Sequence, residues 1–300
     1  MLTPTAIALG NFDGVHCGHQ RVIQPVLNFS SPSSQTYATV VTFNPHPREF
    51  FTGQRRALLT PLDEKAQHLR QLGVEQLVLL PFDWELAALS PQQFVEKILV
   101  KQLCSVKISV GEDFCFGKAR TGTAIELQAI AANYGIPVTI VPLYTCDGKR
   151  ISSSSIRQAL EQGDLKCVNQ LLGRPYTLTG PVVKGQQLGR TIGFPTANLQ
   201  PPPEKFLPRQ GIYAVQVFLE EGKERTKLGV MNIGHRPTVD GTIPTIEVHL
   251  LDWSGDLYGK NITVQLEKFL RPEQKFASLE ALKAQIQTDC VLAKSFVNVE

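Results

Sequence analysis

"LGNFDGVHCGHQ", Leu9–Gln20, decides how the first half of the chain folds. It sets His16 and His19 three residues apart, with glycines at 10, 14 and 18 and Asp13 between an apolar run and a helix-like stretch. The run before it, "TAIALG", has the length of a short strand. "HQRVIQPVLNF" after it has helical spacing, with Pro25 placed to kink the helix. In an open α/β sheet, ligands collect at the carboxyl ends of strands. The helix start offers N–H groups and a partial positive charge to phosphate, and the glycines let backbone come close. His16 and His19 share one side of the first turn. Two imidazoles there can donate to phosphate oxygens as charge builds on phosphorus. A metal site would need a third ligand and the glutamate of His-Glu-x-x-His, and neither stands nearby. Taken alone, the motif also reads as two surface histidines in a turn.

Outward from this stretch, strands and helices alternate. "YATVVTF", "EQLVLLPF", "VKISVG" and "PVTIVPL" read as strands. Helices are expected over "TPLDEKAQHLRQLG", with Thr60 as cap and Pro61 at the first helical position, over "SPQQFVEKILVKQL", and over "TAIELQAIAANYG". The alternation predicts an α/β domain: a parallel, Rossmann-like sheet with helices on both faces. After Leu172 the pattern changes. "YTLTGPVV", "GIYAVQVFL", "KLGVMNIG", "TIEVHLL" and "NITVQLEKFL" are strands with no helices between them, which predicts an antiparallel sheet or small barrel. One helix, capped by Ser278, closes the chain. The expected domains are 1–172 and 176–300.

Composition bounds the function. The chain has 300 residues, 42% of them apolar, and a net charge of +3. No Lys/Arg run exceeds two residues, so a nucleic-acid partner is not expected. No apolar run reaches the roughly 20 residues of a membrane helix, and no signal peptide is expected. The six cysteines form no Cys-x-x-Cys pair and read as reduced thiols of a cytoplasmic protein. No obligatory protein partner is evident.

Further stretches carry chemistry. "ISSSSIR" places Ser153 and Ser154 at a helix start with Arg157 in its first turn, a hydroxyl and guanidinium clamp for phosphate. By itself it reads better as a Ser-capped helix; beside the first motif the order reverses. Gly185 to Arg190, with Gly189 between them, form a turn whose N–H groups can nest phosphates. Thr196 and Asn198 in "PTAN" offer hard oxygen ligands suited to Mg²⁺ on ATP, although alone the stretch reads as a loop bordering a strand. Strand alternation puts Ile246 and Val248 on one face and Glu247 and His249 on the other. A carboxylate there can take a proton, and it equally reads as an exposed strand glutamate.

Taken in order, "GNFDGVHCGH", "VVTFNPHP", "GEDFCFG" and "ISSSSIR", then "GQQLGRTIGFPTAN", "GIYAV", "GVMNIGHRPTV", "IEVHLLD" and "LYGKNITVQLEKFLRPEQKF", resemble the bacterial bifunctional riboflavin kinase/FMN adenylyltransferases over nearly the whole chain. The resemblance implies phosphorylation of riboflavin to FMN, then attack of the FMN phosphate on the α-phosphorus of ATP to give FAD and pyrophosphate. It gives His16 and His19 the ATP phosphates, Gly10, Phe12 and Asp13 the nucleotide pocket, and Ser153, Ser154 and Arg157 the departing pyrophosphate. It makes Asn44, Pro45, His46 and Pro47 the flavin-side loop. In the second half it assigns Gly185, Gly189, Arg190, Thr196 and Asn198 to ATP and Mg²⁺, Glu247 as the base at the ribityl 5′-hydroxyl, and Arg271 as a mobile flavin-side arginine. The sequence departs from the family at Asn44, where an acidic residue is commoner, at Cys115, where an arginine is usual, and at Ser154, where threonine is usual. An adenylyltransferase for another metabolite with an accessory barrel, and a flavin carrier, are the rival readings.

Overall fold

The computed structural model describes residues 3–27, 29, 35–146, 148–185, 188–219, 226–238 and 241–297. The serine-rich stretch 30–34, Gln186 and Gln187 of the glycine-rich turn, and the "EEGK" turn lie outside the described residues. By its internal contacts the chain divides into two units, 1–155 and 156–300.

The first unit is built on five parallel strands: β1 (Thr5–Leu9), β2 (Tyr37–Asn44), β3 (Gln76–Pro81), β4 (Ser105–Gly111) and β5 (Val138–Val141), in the order β3-β2-β1-β4-β5. Every residue of β1 is buried. Its side chains alternate between two cores, Ile7 and Leu9 in one and Ala6 and Ala8 in the other. A strand covered on both faces shows as an unbroken apolar run, which is what "AIAL" is after Thr5. Helices α1 (Cys17–Leu27), α2 (Pro47–Thr52), α3 (Leu62–Gln71) and α4 (Ala124–Ala132) lie in the connections. The strand order reverses between β1 and β4, and the carboxyl ends at such a switch point leave a crevice.

Two local expectations are corrected. Thr60 does not cap α3: the N-cap is Pro61, with no side-chain cap bond. The Thr60 hydroxyl instead accepts from the Gly14 N–H at 2.9 Å, so the first motif has claimed it. The helix over "SPQQFVEKILVKQL" is α-helical only over Pro91–Gln93, and Phe94–Gln102 is wound as a π-helix, with the Leu103 N–H donating to the Ile98 carbonyl five residues back.

The second unit begins inside α5 (Ser153–Gln162), continues through α6 (Leu165–Leu172) and then closes a six-stranded antiparallel barrel. Its strands are β6 (Thr177–Val183), β7 (Ala197–Leu199), β8 (Gly211–Leu219), β9 (Thr226–Thr238), β10 (Gly241–Leu250) and β11 (Asn261–Arg271). They run β6-β7-β10-β9-β8-β11 around the barrel, with β11 paired back to β6. Five of these strands were expected from alternation. The sixth, β7, falls within "PTANL" and is too short to show a period. Helix α7 (Leu279–Val297) covers Ile212, Ala214 and Val230 on the outside of the barrel through Cys290 and Ala293. The Ser278 hydroxyl caps it by accepting from the Ala281 N–H at 3.1 Å.

Candidate active sites

A cleft of about 360 Å³ opens at the carboxyl ends of β1, β4 and β5, and Gly10, Phe12, Asp13, His16 and His19 line it together with Ser153 and Ser154. The loop between β1 and α1 is tied down by the protein's own hydrogen bonds. Asp13 Oδ1 accepts from the N–H groups of Leu59 at 2.9 Å and Thr60 at 3.2 Å. The Asn11 carbonyl accepts from Thr42 Oγ1 at 3.1 Å and from the buried Lys65 Nζ at 3.0 Å. The Ser153 hydroxyl donates to the Asp13 carbonyl at 2.8 Å. These bonds hold Phe12 and Val15 at φ 48° and 43°, a left-handed conformation that side chains other than glycine adopt only under such constraint. Asp13 therefore shapes the loop with its carboxylate turned to backbone.

His16 is buried and caps α1: its Nδ1 accepts from the His19 N–H at 3.2 Å, which leaves the ring proton to Nε2. One helix N–H expected for phosphate is thus used by His16 itself. The two imidazoles stack with centroids 3.5 Å apart, and Phe12 meets His19 edge-on. Gly18 permits this packing, because a Cβ there would lie 3.2 Å from His16 Nδ1.

Of the four residues 44–47, His46 and Pro47 line the cleft; Asn44 and Pro45 are exposed and do not. His46 caps α2 by accepting from the Arg48 N–H at Nδ1, 3.0 Å away. Burial, with Arg56 beside it, holds its pKa below the ordinary 6.5. It stands there as a neutral ring with its N–H on Nε2. Arg56, Arg120 and Arg150 also line the cleft, Arg150 being paired with Asp113. Three guanidiniums and the three histidines make a wall suited to an anion. None of these arginines carries a spacing signal in the sequence. Cys115 is in the lining as well. Arg157 falls in the second unit, four residues after Ser153 along α5, where its guanidinium lies over the Phe206 ring.

The second unit has its own cleft of about 420 Å³, on the outer face of the barrel beneath α7. Gly189, Thr196, Glu247 and Arg271 line it. As alternation required, Ile246 and Val248 are buried and Glu247 and His249 turn to the cleft. The ladders align a row across five strands: Asn198 opposite Glu247, Glu247 opposite Asn232, Asn232 opposite Ile212, and Ile212 opposite Arg271. Residues opposite one another share a face, so the expected Mg²⁺ ligand, base and arginine stand in one line, with Asn232 the polar member the sequence did not reveal. Gly185 presses on the Asn198 amide, where any Cβ would collide with it. Arg190 lies in the short helix Leu188–Thr191, with its backbone alone described.

Arg271 is held by a forked ion pair. Its Nε and Nη2 donate to Asp289 at 3.0 and 2.7 Å, and Gln285 also donates to that carboxylate. Asp289 is 2% exposed, so α7 fixes the guanidinium. A second hollow of about 250 Å³ shares Thr196 and is lined by Pro195, Trp253, Asp256 and Tyr258. Among the described residues no cluster of three His, Cys, Asp or Glu side chains is placed to cage a metal ion. Thr196 and Asn198 offer neutral oxygens only, which fits an ion carried in by a nucleotide's phosphates rather than one resident in the protein.

Comparison with known proteins accounts for both halves. A family model described as FAD synthetase matches residues 1–155, and one described as riboflavin kinase matches residues 172–297. A bifunctional riboflavin kinase/FMN adenylyltransferase of Escherichia coli K12 is 44% identical over 97% of this chain and 92% of its own length. Proteins of the same description from Haemophilus influenzae and Bacillus subtilis are 39% and 38% identical over 99% and 95% of this chain, and 96% and 90% of their own. A solved structure described as a macrolide-efflux protein from Streptococcus pneumoniae covers 98% of this chain and 94% of its own, with a TM-score of 0.86 at 31% identity. Among the described residues here, no helix is long and apolar enough to cross a membrane.

Proposed function

The chain belongs to the bifunctional riboflavin kinase/FMN adenylyltransferase family, and from that premise we propose how its own residues divide the two reactions. It is a transferase twice over: it phosphorylates riboflavin to FMN with ATP, and it adenylylates FMN with a second ATP to give FAD and pyrophosphate.

Adenylylation belongs to the 360 Å³ cleft. The attacking oxygen is that of the FMN phosphate, already ionised, so no protein nucleophile is required and catalysis rests on position and charge. His16 and His19 donate to the α-phosphate as negative charge grows on its oxygens. Ser153 and Ser154 take the leaving pyrophosphate at the start of α5. His46 and Pro47 stand on the flavin side. The observation that supports this best is the stacked His16–His19 pair set on a prebuilt loop at the sheet's switch point.

Phosphorylation belongs to the cleft under α7. Glu247 accepts the proton of the ribityl 5′-hydroxyl as that oxygen attacks the γ-phosphorus, the bond to the β–γ bridging oxygen breaks and ADP leaves. Arg271, held by Asp289, stands on the flavin side. Gly185, Gly189 and Arg190 take the ATP phosphates. Thr196 and Asn198 hold Mg²⁺, which when bound neutralises phosphate charge. The functional boundary falls between 172 and 176, with 1–172 for adenylylation and 176–300 for phosphorylation, although residues 156–172 pack with the barrel, and the protein works in the cytoplasm.

Purified protein given riboflavin, ATP and Mg²⁺ should accumulate FMN first and then FAD, as read by separating the flavins. With EDTA in place of Mg²⁺, riboflavin should remain. Absence of both products with Mg²⁺ present would overturn the reading.

A further inference from the structure

Asn232 is the one polar residue of the five-strand row that the two reactions leave unassigned. Its Nδ2 donates to Glu273 Oε1 at 3.2 Å. A carboxylate only accepts, so this bond fixes which end of the amide is which. The remaining atom, Oδ1, is buried and has no hydrogen-bond partner among the described residues. Asn232 and Glu273 both line the 420 Å³ cleft. A buried acceptor left unmatched is costly, and one kept in fixed orientation on a cleft wall suits a donor brought by the ligand.

The row identifies the donor. Asn232 stands opposite Glu247 on the adjacent strand, about 4.8 Å away at ordinary strand spacing. On the other side of Glu247 stands Asn198, so the nucleotide lies on that flank and the body of the flavin on the Asn232 flank. With the reacting 5′-hydroxyl at Glu247, the next donors along the substrate are the secondary hydroxyls of the ribityl chain. We propose that Asn232, oriented by Glu273, is a specificity residue that accepts a hydrogen bond from a secondary ribityl hydroxyl and so selects a polyol chain over a plain alkyl alcohol. The assignment rests on the kinase reading of this cleft.

The test compares riboflavin with its analogue bearing a 5-hydroxypentyl chain at N10, which keeps the reacting primary hydroxyl and lacks the secondary ones. Wild-type kinase should prefer riboflavin in kcat/KM by roughly ten- to a hundredfold. Asn232→Ala should lose most of its activity toward riboflavin, little of that toward the analogue, and none of its conversion of FMN to FAD. Equal turnover of the two substrates by the wild type overturns the proposal, whatever the variant does. So does a variant that loses both substrates in proportion, which marks a structural residue. Failure of the kinase reading shows separately: Glu247→Gln would then retain its turnover, while the preference for riboflavin in wild type and Asn232→Ala still reports on Asn232.

Discussion

Thr60 shows how far a residue's work can lie from its place in the sequence. A threonine before proline at a helix start reads as a cap, yet its hydroxyl reaches back 46 positions to the Gly14 N–H. Thr60→Val keeps the shape and removes this buried hydrogen bond. We expect unfolding free energy to fall by about 1–3 kcal/mol, measured by urea denaturation, with FAD formation reduced and riboflavin phosphorylation unchanged. His46 gives a test in pH. Its folded-state pKa lies below 6.5 because of burial and Arg56. As pH falls below about 6.5 the unfolded chain takes the proton first, so this histidine's contribution to stability is lost in the acid direction and is intact above. His46→Gln should flatten the fall in melting temperature between pH 7 and 5; an unchanged slope would assign the acid sensitivity elsewhere. The cleft positions of His16 and His19 were legible from their motif and that of Glu247 from the face alternation gives it, its role as base coming only from the family resemblance. Arg56, Arg120, Arg150 and Asn232 were not, since each acquires its neighbours only through the fold.

Among elements, β1 and the long barrel strands declared themselves by apolar content and alternation. Strand β7 did not, because three residues cannot display a period, and the barrel closes only through its pairs with β6 and β10. The π-winding of Phe94–Gln102 was likewise invisible, since its residue types suit an α-helix. Helix α6 raises a question of boundaries. Leu165, Val168, Leu171 and Leu172 are all buried, α6 packs on β11, and Asn169 Oδ1 accepts from the Tyr176 N–H at 3.2 Å. A fragment of residues 156–300 should therefore be more stable than one of 176–300, by about 4 kcal/mol or more from the apolar surface alone. Equal melting temperatures would show that α6 adds nothing to the barrel.

At the scale of the whole molecule, each cleft is lined from within one unit: the anion-suited cleft of the parallel sheet within 1–155, the cleft of the barrel and α7 within 156–300. Two chemistries on separate residues should fail separately. The most direct measurement separates flavin products from the intact His19→Ala and Glu247→Gln variants, each given riboflavin or FMN with ATP and Mg²⁺. His19→Ala should turn riboflavin into FMN at the wild-type rate and form FAD at least about 10²-fold more slowly. Glu247→Gln should phosphorylate riboflavin about 10²–10⁴-fold more slowly, while converting added FMN to FAD as the wild type does. Loss of both activities in either well-folded variant, or kinase turnover near wild type in Glu247→Gln, would contradict the division of labour between the two clefts.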